Sequence, residues 1–220
     1  MPLPNPFADH CVLAQIPIES SIVPLHSTEQ ALCASFGSAK RKAEFSTGRR
    51  AAARAMGLAG YPILPVGRGS RGEPLWPLGL VASLAHDRRT AACLMARRHS
   101  GLRAIGLDIE PLDRRPSLKA LQSVCSAQEL KNLQEPQSLQ AAFCAKEAIF
   151  KAIYPLNQVA LGFFDAKVQI LQDGRFLAEL ALNPWPDQPG FPLKLQGKWG
   201  QSAEHLWAAL ALRNDLTWIE

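Results

Sequence analysis

Residues 105–111 read IGLDIEP and alternate between apolar and polar or small side chains. Successive side chains of a β-strand point to opposite faces, so the alternation predicts a strand whose isoleucines and leucine face a core. Asp108 and Glu110 would then share the other face, about 7 Å apart at ~3.3 Å per residue. Two such carboxylates repel each other unless a cation lies between them. The pattern fits either a metal-binding strand or a solvated strand face.

A second informative stretch, FCAKEAIFK at residues 143–151, lies within a predicted helix. Glu147 and Lys151 are one helical turn apart, and taken alone they are typical of a surface ion pair worth about 0.2–0.5 kcal/mol. If the helix faces the strand of Asp108, Glu147 instead adds a third carboxylate. An oxygen-only site of this kind favours Mg²⁺. Lys146 and Lys151 would then supply positive charge to a bound phosphate.

Residues 83–87 read SLAHD and end an apolar run. Serine, histidine and aspartate together are the residue types of a hydrolase catalytic triad. However, no G-x-S-x-G elbow surrounds Ser83, and three such residues within five positions rarely form a triad. Two interpretations stay open: a turn in which Ser83 and Asp87 cap backbone groups, and a phosphate site in which Ser83 and His86 donate hydrogen bonds.

Basic residues are concentrated in residues 40–54, which carry six Lys or Arg and one acid, Glu44. A loop at residues 68–77, RGSRGEPLWP, adds two arginines and two glycines whose backbone N–H groups could approach a phosphate or a base. The formal net charge of +5 points to an anionic partner. Both segments fit an anion site or a solvated basic surface, and neither contains a helix-turn-helix, zinc or RNP pattern.

The composition places the chain among globular proteins. Its 220 residues, 47% of them hydrophobic, suffice for one large or two small domains with a core, which excludes disorder. We expect neither a membrane span nor a signal peptide, and therefore a cytoplasmic location. The five cysteines are odd in number and form no C-x-x-C pair, so we predict buried, reduced thiols.

Each half of the chain combines a long helix with about three strands, which predicts the α+β class and suggests two similar subdomains. Helices are predicted from a capping box of Ser27 and Gln30 onward, over 38–58 with an interruption near Gly48, from a second capping box at Ser126, and over 138–154, ended by Pro155. Strands are predicted over residues 10–18, 80–84, 90–97, 103–110, 166–171, 176–180, 191–199 and 205–212.

Six stretches between about residues 45 and 165, taken in order, resemble the Sfp-type 4'-phosphopantetheinyl transferases, in particular the enterobactin synthetase component D branch. They read GRRAAAR at 48–54, RGEPLWP at 71–77, SLAH at 83–86, IGLDIE at 105–110, FCAKEAIFK at 143–151 and GFFD at 162–165. Each is weak alone, whereas their order and spacing are specific. Phe143 stands where many family members have Trp.

The resemblance implies a pseudo-two-fold α+β fold with coenzyme A and Mg²⁺ in the cleft between two subdomains. We expect an N-terminal subdomain, residues 1–104, that contacts CoA, and a C-terminal subdomain, residues 105–220, that carries the metal carboxylates and the catalytic helix. The implied reaction moves phosphopantetheine from CoA onto a serine of an apo acyl, peptidyl or aryl carrier protein and releases adenosine 3',5'-bisphosphate. We expect a monomer that binds neither nucleic acid nor membrane.

The resemblance also implies the site residues, by their positions in the matching motifs. The metal ligands are Asp108, Glu110 and Glu147, and the catalytic residues are Glu147 and Lys151. The implied CoA contacts are His86 and Lys151 at the phosphates and Arg49, Arg54 and Arg71 at the nucleotide end. Ser83 and Lys146 complete the expected CoA-binding set.

The chemistry of the implied reaction agrees with this set, because an alcohol that attacks a pyrophosphate needs neutralised charge, alignment and a proton acceptor. We hypothesise that Glu147, or a water it holds, takes the serine proton. Two alternatives remain. A non-catalytic basic binding module explains the charge but gives no reason for the three carboxylates. The other alternative is a different Mg²⁺-dependent phosphoryl transferase, but this sequence lacks the G-x-x-x-x-G-K-[S/T] motif that is typical of such enzymes.

Overall fold

The computed structural model describes residues 2–19, 26–113, 117–133, 135–181, 193–215 and 217–219. Helices and antiparallel strands form separate runs along these residues. In chain order they are β1 (Val12–Pro17), α1 (Ser27–Ala34), α2 (Ala39–Leu58), β2 (Gly67–Arg68), β3 (Pro74–Leu75), β4 (Leu80–His86), β5 (Thr90–Arg97), β6 (Leu102–Pro111), α3 (Leu118–Gln122), α4 (Ala127–Asn132), α5 (Pro136–Asn157), β7 (Ala166–Ile170), β8 (Arg175–Leu180), β9 (Lys194–Gln201) and β10 (His205–Arg213).

The N-terminal half is a three-stranded antiparallel sheet, ordered β1-β5-β4, with α2 packed against it. Small side chains on one face of α2, among them Ala51, Ala52 and Ala55, are fully buried and let the helix lie close to the strands. β2 and β3 form a separate two-stranded ribbon within the predicted loop.

The C-terminal half is a five-stranded antiparallel sheet, ordered β6-β10-β9-β8-β7, and α5 packs on one face of it against β6, β10 and β7. The hairpin of β7 and β8 turns at Gly174, whose φ of 84° suits glycine. Gly106 brings α5 close to β6, because a Cβ at this position would overlap the Ala148 carbonyl oxygen.

The two halves meet where β4 packs against β6. Ile105, Leu107 and Ile109 of β6 are buried in a cluster shared with the N-terminal strands, as their alternation predicted. The Leu107 N–H donates a hydrogen bond of 3.0 Å to Ser83 Oγ. This arrangement confirms the predicted α+β class with two subdomains.

Two predicted helix features are wrong. α2 runs through Gly48 without a break, because burial of its small side chains outweighs the ~1 kcal/mol helix penalty of one glycine. α5 continues through Pro155 to Asn157, since a proline in the last turn breaks few helical hydrogen bonds. Gln158 caps the helix, with a φ of 60° and an N–H that donates to the Tyr154 carbonyl oxygen.

Other boundaries shift by small amounts. The first capping box uses His26 and Glu29, one residue earlier than predicted, whereas Ser126 caps α4 as expected. The predicted strand over 191–199 begins at Lys194, and its first two residues lie outside the described part of the chain. The predicted subdomain boundary, between residues 104 and 105, falls inside β6 and stays a prediction.

The five cysteines are free and buried, as predicted. Across the described ranges, we find no helix with the length and hydrophobicity needed to traverse a bilayer.

Candidate active site

A cleft of about 720 Å³ lies between the two halves. Its walls come from α2, the 68–76 segment and the end of β4 on one side, and from β6, α5 and the chain after α5 on the other. Eight of the ten predicted site residues line it: Arg49, Arg71, Ser83, His86, Asp108, Glu110, Glu147 and Lys151.

The carboxylate side of the cleft is organised around a contact between β6 and α5. Lys151 Nζ donates a hydrogen bond of 2.6 Å to Asp108 Oδ1, and the Asp108 side chain is buried. Burial alone would lower the pKa of Lys151, but the negative charges of Asp108 and Glu147 outweigh it and raise that pKa. Lys151 therefore remains an ammonium group at neutral pH and offers a fixed positive charge to the cleft.

Glu147 carries the perturbed carboxyl group of the cleft. Burial raises its pKa first, the charge of Asp108 raises it further, and Lys151 only partly opposes this. A carboxylate whose pKa is shifted toward neutrality accepts a proton more readily than an ordinary one. Glu147 is thus suited to act as a general base.

The chemistry of this donor set, three carboxylates without His or Cys, suits a divalent cation. Asp108 Oδ2 is buried and lacks a hydrogen-bond partner among the described residues. Burial raises the pKa of Glu147 and the charge of Asp108 raises it further, and a cation between the two carboxylates would oppose both effects. Oxygen-only donors suit Mg²⁺. Within the described ranges, however, no three His, Cys, Asp or Glu side chains are arranged closely enough to form a metal-binding group.

The arginine side of the cleft contains one buried arginine, Arg49, and one exposed arginine, Arg71. Arg49 is buried, donates a hydrogen bond of 2.8 Å to the Gly67 carbonyl oxygen and lies 4.4 Å from the centroid of the Phe45 ring. Burial lowers its pKa to about 10, so it stays charged at neutral pH. Arg71 is exposed and lies 6.0 Å from the centroid of the Tyr154 ring. Arg71 is free to contact a ligand, while Arg49 also holds the loop in place.

His86 lies at the end of β4, with its Nε2 atom 3.5 Å from Arg41 Nη1. Desolvation in the cleft lowers the pKa of the imidazole, Glu44 opposes this, and Lys151 and Arg41 add to the lowering. The His86 ring is therefore neutral at neutral pH and can donate one hydrogen bond to a phosphate.

Asp87 does not belong to the cleft. Its Oδ1 atom accepts hydrogen bonds from the backbone N–H groups of Arg89 and Thr90, and its Oδ2 atom lies 3.2 Å from Nε2 of the buried His205. The capping interpretation thus holds for Asp87, and the rejected triad is not formed. Ser83 Oγ accepts the Leu107 N–H and still has its own proton to donate into the cleft.

Two predicted CoA contacts lie elsewhere. Arg54 lines a separate depression beside Leu3 and Gln15. Lys146 lies on the core side of α5, where it is fully buried and hydrogen-bonded within the C-terminal half. We therefore assign neither residue to the ligand.

Several residues line the cleft that the motifs did not predict. Arg41 and Arg68 extend the cationic wall, and both belong to the basic segments that signalled it. Phe143, Phe150 and Leu161 form an apolar wall beyond the carboxylates. Their sequence signal was ambiguous, because apolar residues at helical spacing also occur in an ordinary core.

Family comparison assigns most of the chain. Residues 28–96 match the 4'-phosphopantetheinyl transferase N-terminal domain, and residues 104–205 match the 4'-phosphopantetheinyl transferase superfamily. The chain belongs to the 4'-phosphopantetheinyl transferase superfamily. This membership confirms the resemblance seen in the motifs. Enzymes of this superfamily transfer phosphopantetheine from CoA to carrier proteins, and the basic binding module is not favoured.

The transferase also resembles individual curated relatives. It is 34% identical to 4'-phosphopantetheinyl transferase PptT of Mycobacterium tuberculosis over 187 residues, which cover 79% of this chain and 80% of that protein. It is 35% identical to 4'-phosphopantetheinyl transferase Svp of Streptomyces mobaraensis over 181 residues, 79% of this chain and 73% of that protein. Its identity to enterobactin synthase component D of Salmonella typhimurium is 37% over 139 residues, 60% of this chain and 56% of that protein.

Proposed function

We propose that the transferase binds CoA in the cleft between its halves and moves the 4'-phosphopantetheine group onto a serine hydroxyl of an apo acyl, peptidyl or aryl carrier protein. The observation that carries this proposal is that the two halves contribute different kinds of side chain to the cleft. The N-terminal half contributes arginines and His86, and the C-terminal half contributes three carboxylates with Lys151. A polyanionic substrate that reacts at a pyrophosphate needs both kinds of wall.

Mg²⁺ is the proposed cofactor, and Asp108, Glu110 and Glu147 are the side chains that would hold it. When bound there, the ion would neutralise charge on the pyrophosphate and stabilise the leaving group. Asp108 is held in place for this task by its hydrogen bond to Lys151. Arg71 and His86 would contact the other phosphate groups of CoA, and Arg49 would fix the loop that carries Arg71.

The proposed chemical step is one displacement at phosphorus. The serine oxygen forms a bond to the phosphorus that bears the pantetheine arm, and the bond from this phosphorus to the bridging oxygen breaks. Adenosine 3',5'-bisphosphate leaves with that oxygen. Glu147 takes the serine proton, directly or through a water, and Lys151 balances the phosphate charge.

The proposed setting is a cytoplasmic monomer that acts on acidic carrier domains. Five buried, free thiols agree with a reducing compartment. Both walls of the cleft come from one chain, so a monomer suffices for the site. The net charge of +5 favours encounters with polyanionic CoA and with an acidic carrier surface.

Calorimetric titration with CoA tests the ligand part of this proposal. We expect the protein to bind CoA more tightly with Mg²⁺ than with EDTA. Arg71→Ala should weaken binding about tenfold, which is the loss of ~1.4 kcal/mol from one charge-assisted contact. Arg54→Ala removes an equal charge outside the cleft and should change the affinity less than about twofold. Equal losses for the two variants would contradict the assigned cleft.

A further inference from the structure

A buried polar pair joins the turn between β4 and β5 to the first residue of β10. Asp87 follows His86 at the end of β4 and is buried, and His205 is fully buried. The Asp87 Oδ2 atom lies 3.2 Å from the His205 Nε2 atom. Burial would raise the pKa of Asp87, but hydrogen bonds from His205 and from the backbone N–H groups of Arg89 and Thr90 outweigh it and lower that pKa. Asp87 is therefore a carboxylate at neutral pH, and its contact with His205 compensates for its burial.

The pair connects the two halves of the protein. Asp87 belongs to the N-terminal half, whereas His205 lies opposite Pro111 of β6 in the C-terminal sheet. A second link between the halves is the hydrogen bond from the Leu107 N–H to Ser83 Oγ. Asp87 follows Ser83 in the chain at the same interval as Pro111 follows Leu107. The hydrogen bond thus fixes the middle of the contact between β4 and β6, and the Asp87–His205 pair fixes its end.

Exposed ion pairs at the same turn are weaker links. Arg88 and Arg89 both contact the carboxylate of Asp113, just after β6, and all three side chains are about half exposed. Such pairs contribute little, because water and salt screen their charges. Removing one partner of a buried charged pair has a larger effect, since the other partner is left unpaired. We therefore expect loss of the Asp87–His205 pair to disturb the turn more than loss of the exposed pairs.

Each side of the pair is next to a residue of the candidate active site. His86 immediately precedes Asp87 and lines the cleft, and its ring is hydrogen-bonded to the Asp87 backbone. Glu110 immediately precedes Pro111, the residue opposite His205, and also lines the cleft. Asp87 and His205 are themselves buried behind these residues. The pair can therefore influence a ligand through His86 but not by direct contact.

We propose that the Asp87–His205 pair holds His86 at the distance from the β6 carboxylates at which its ring contacts a phosphate group of CoA. The inference rests on the proposed function, which gives His86 that contact. Asp87 and His205 are positioning residues in this account. A phosphate group that does not react is held equally in the ground state and in the transition state. Loss of its contact therefore raises KM for CoA and leaves kcat unchanged.

Transfer kinetics at varied CoA concentration and saturating apo carrier protein test the inference. His205→Phe keeps an aromatic ring but cannot hydrogen-bond to Asp87. We expect KM for CoA to rise about fivefold, with kcat within about twofold of the wild type. A merely structural defect would instead lower the concentration of active protein, and hence kcat, at an unchanged KM. His99→Phe makes the same exchange at an exposed histidine and should leave both constants unchanged.

A double-mutant cycle shows whether the pair acts through His86. His86→Ala should itself raise KM for CoA about tenfold, which is the full loss of one hydrogen bond to a charged group. Adding His205→Phe to His86→Ala should change KM by less than about twofold, because the contact is already gone. A further rise of about fivefold in the double variant, or a wild-type KM in folded His205→Phe, would overturn the inference.

Two other variants vary the pair itself. His205→Gln places an amide N–H near the position of Nε2 and should keep KM within about twofold of the wild type. A KM as high as that of His205→Phe would show that the hydrogen bond to Asp87 has no such role. Asp87→Ser keeps an oxygen that can accept the N–H groups of the turn but is too short to reach His205, so it should reproduce the rise in KM. If His205→Phe does not fold, a wild-type KM in Asp87→Ser overturns the inference.

The wild-type protein separates the two claims. If it neither binds CoA nor modifies a carrier, the proposed function fails and the inference fails with it. If it transfers phosphopantetheine while the variants keep the wild-type KM, only the positioning role is wrong.

Discussion

Glu147→Gln is expected to lower the rate of phosphopantetheine transfer by about 10²- to 10⁴-fold, the range that a general base contributes. The amide keeps the size of the side chain but cannot accept the serine proton, and it removes one negative charge from the metal-binding set. The folded protein should survive the change. Burial and, after it, the charge of Asp108 disfavour the ionised form of Glu147 and raise its pKa, so a neutral side chain at this position should not lower the thermal midpoint.

The measurement is the initial rate of carrier modification, followed by the mass of the carrier, beside a thermal melt of each variant. Glu135→Gln is the matched control, since Glu135 is exposed at the start of the same helix and its side chain makes no capping hydrogen bond there. A Glu147→Gln rate within about twofold of the wild type would remove Glu147 from the mechanism.

Gly106→Ala should affect both stability and activity. The added Cβ would overlap the backbone carbonyl oxygen of Ala148 and come within 3.1 Å of Ala152 Cβ, so α5 must move away from β6. Overpacking of this kind costs about 1–3 kcal/mol of the free energy of unfolding. The same movement separates Lys151 from Asp108, because one lies on α5 and the other on β6. We therefore expect a transfer rate well below that of the wild type.

Urea denaturation and the transfer rate measure these two effects. Gly57→Ala is the control. Gly57 is exposed within α2, where an added Cβ meets open space. There the substitution should raise stability by about 0.5–1 kcal/mol and leave the rate unchanged. Wild-type stability and rate in Gly106→Ala would contradict the close approach of α5 to β6.

Local patterns in the sequence predicted the parts of the site that depend on one element. The alternation in residues 105–111 was enough to put Asp108 and Glu110 on the same face of a strand. Spacing along a helix was enough to bring Glu147 and Lys151 to one side of α5. Neither pattern predicts the wall of the cleft that comes from the N-terminal half. That half was predicted from the family resemblance, since it depends on packing between distant segments.

The incorrect expectations have the same physical origin. Lys146 and Glu147 are neighbours in the chain, but consecutive residues of an α-helix point about 100° apart, because a turn contains 3.6 residues. Only one of the two can face the cleft, and the structure directs Lys146 to the core. Burial of small side chains likewise kept α2 intact at Gly48, an effect that local propensity does not include.

The central claim is that this cleft transfers phosphopantetheine from CoA to a carrier serine with the help of Mg²⁺. Intact-mass spectrometry of apo acyl, peptidyl and aryl carrier proteins, each incubated with the protein and CoA in Mg²⁺ or in EDTA, tests it directly. We predict that at least one carrier gains the mass of phosphopantetheine in Mg²⁺ only, and that a carrier whose serine is replaced by alanine gains nothing. No mass gain on any carrier, from a folded protein that binds CoA, would contradict the account.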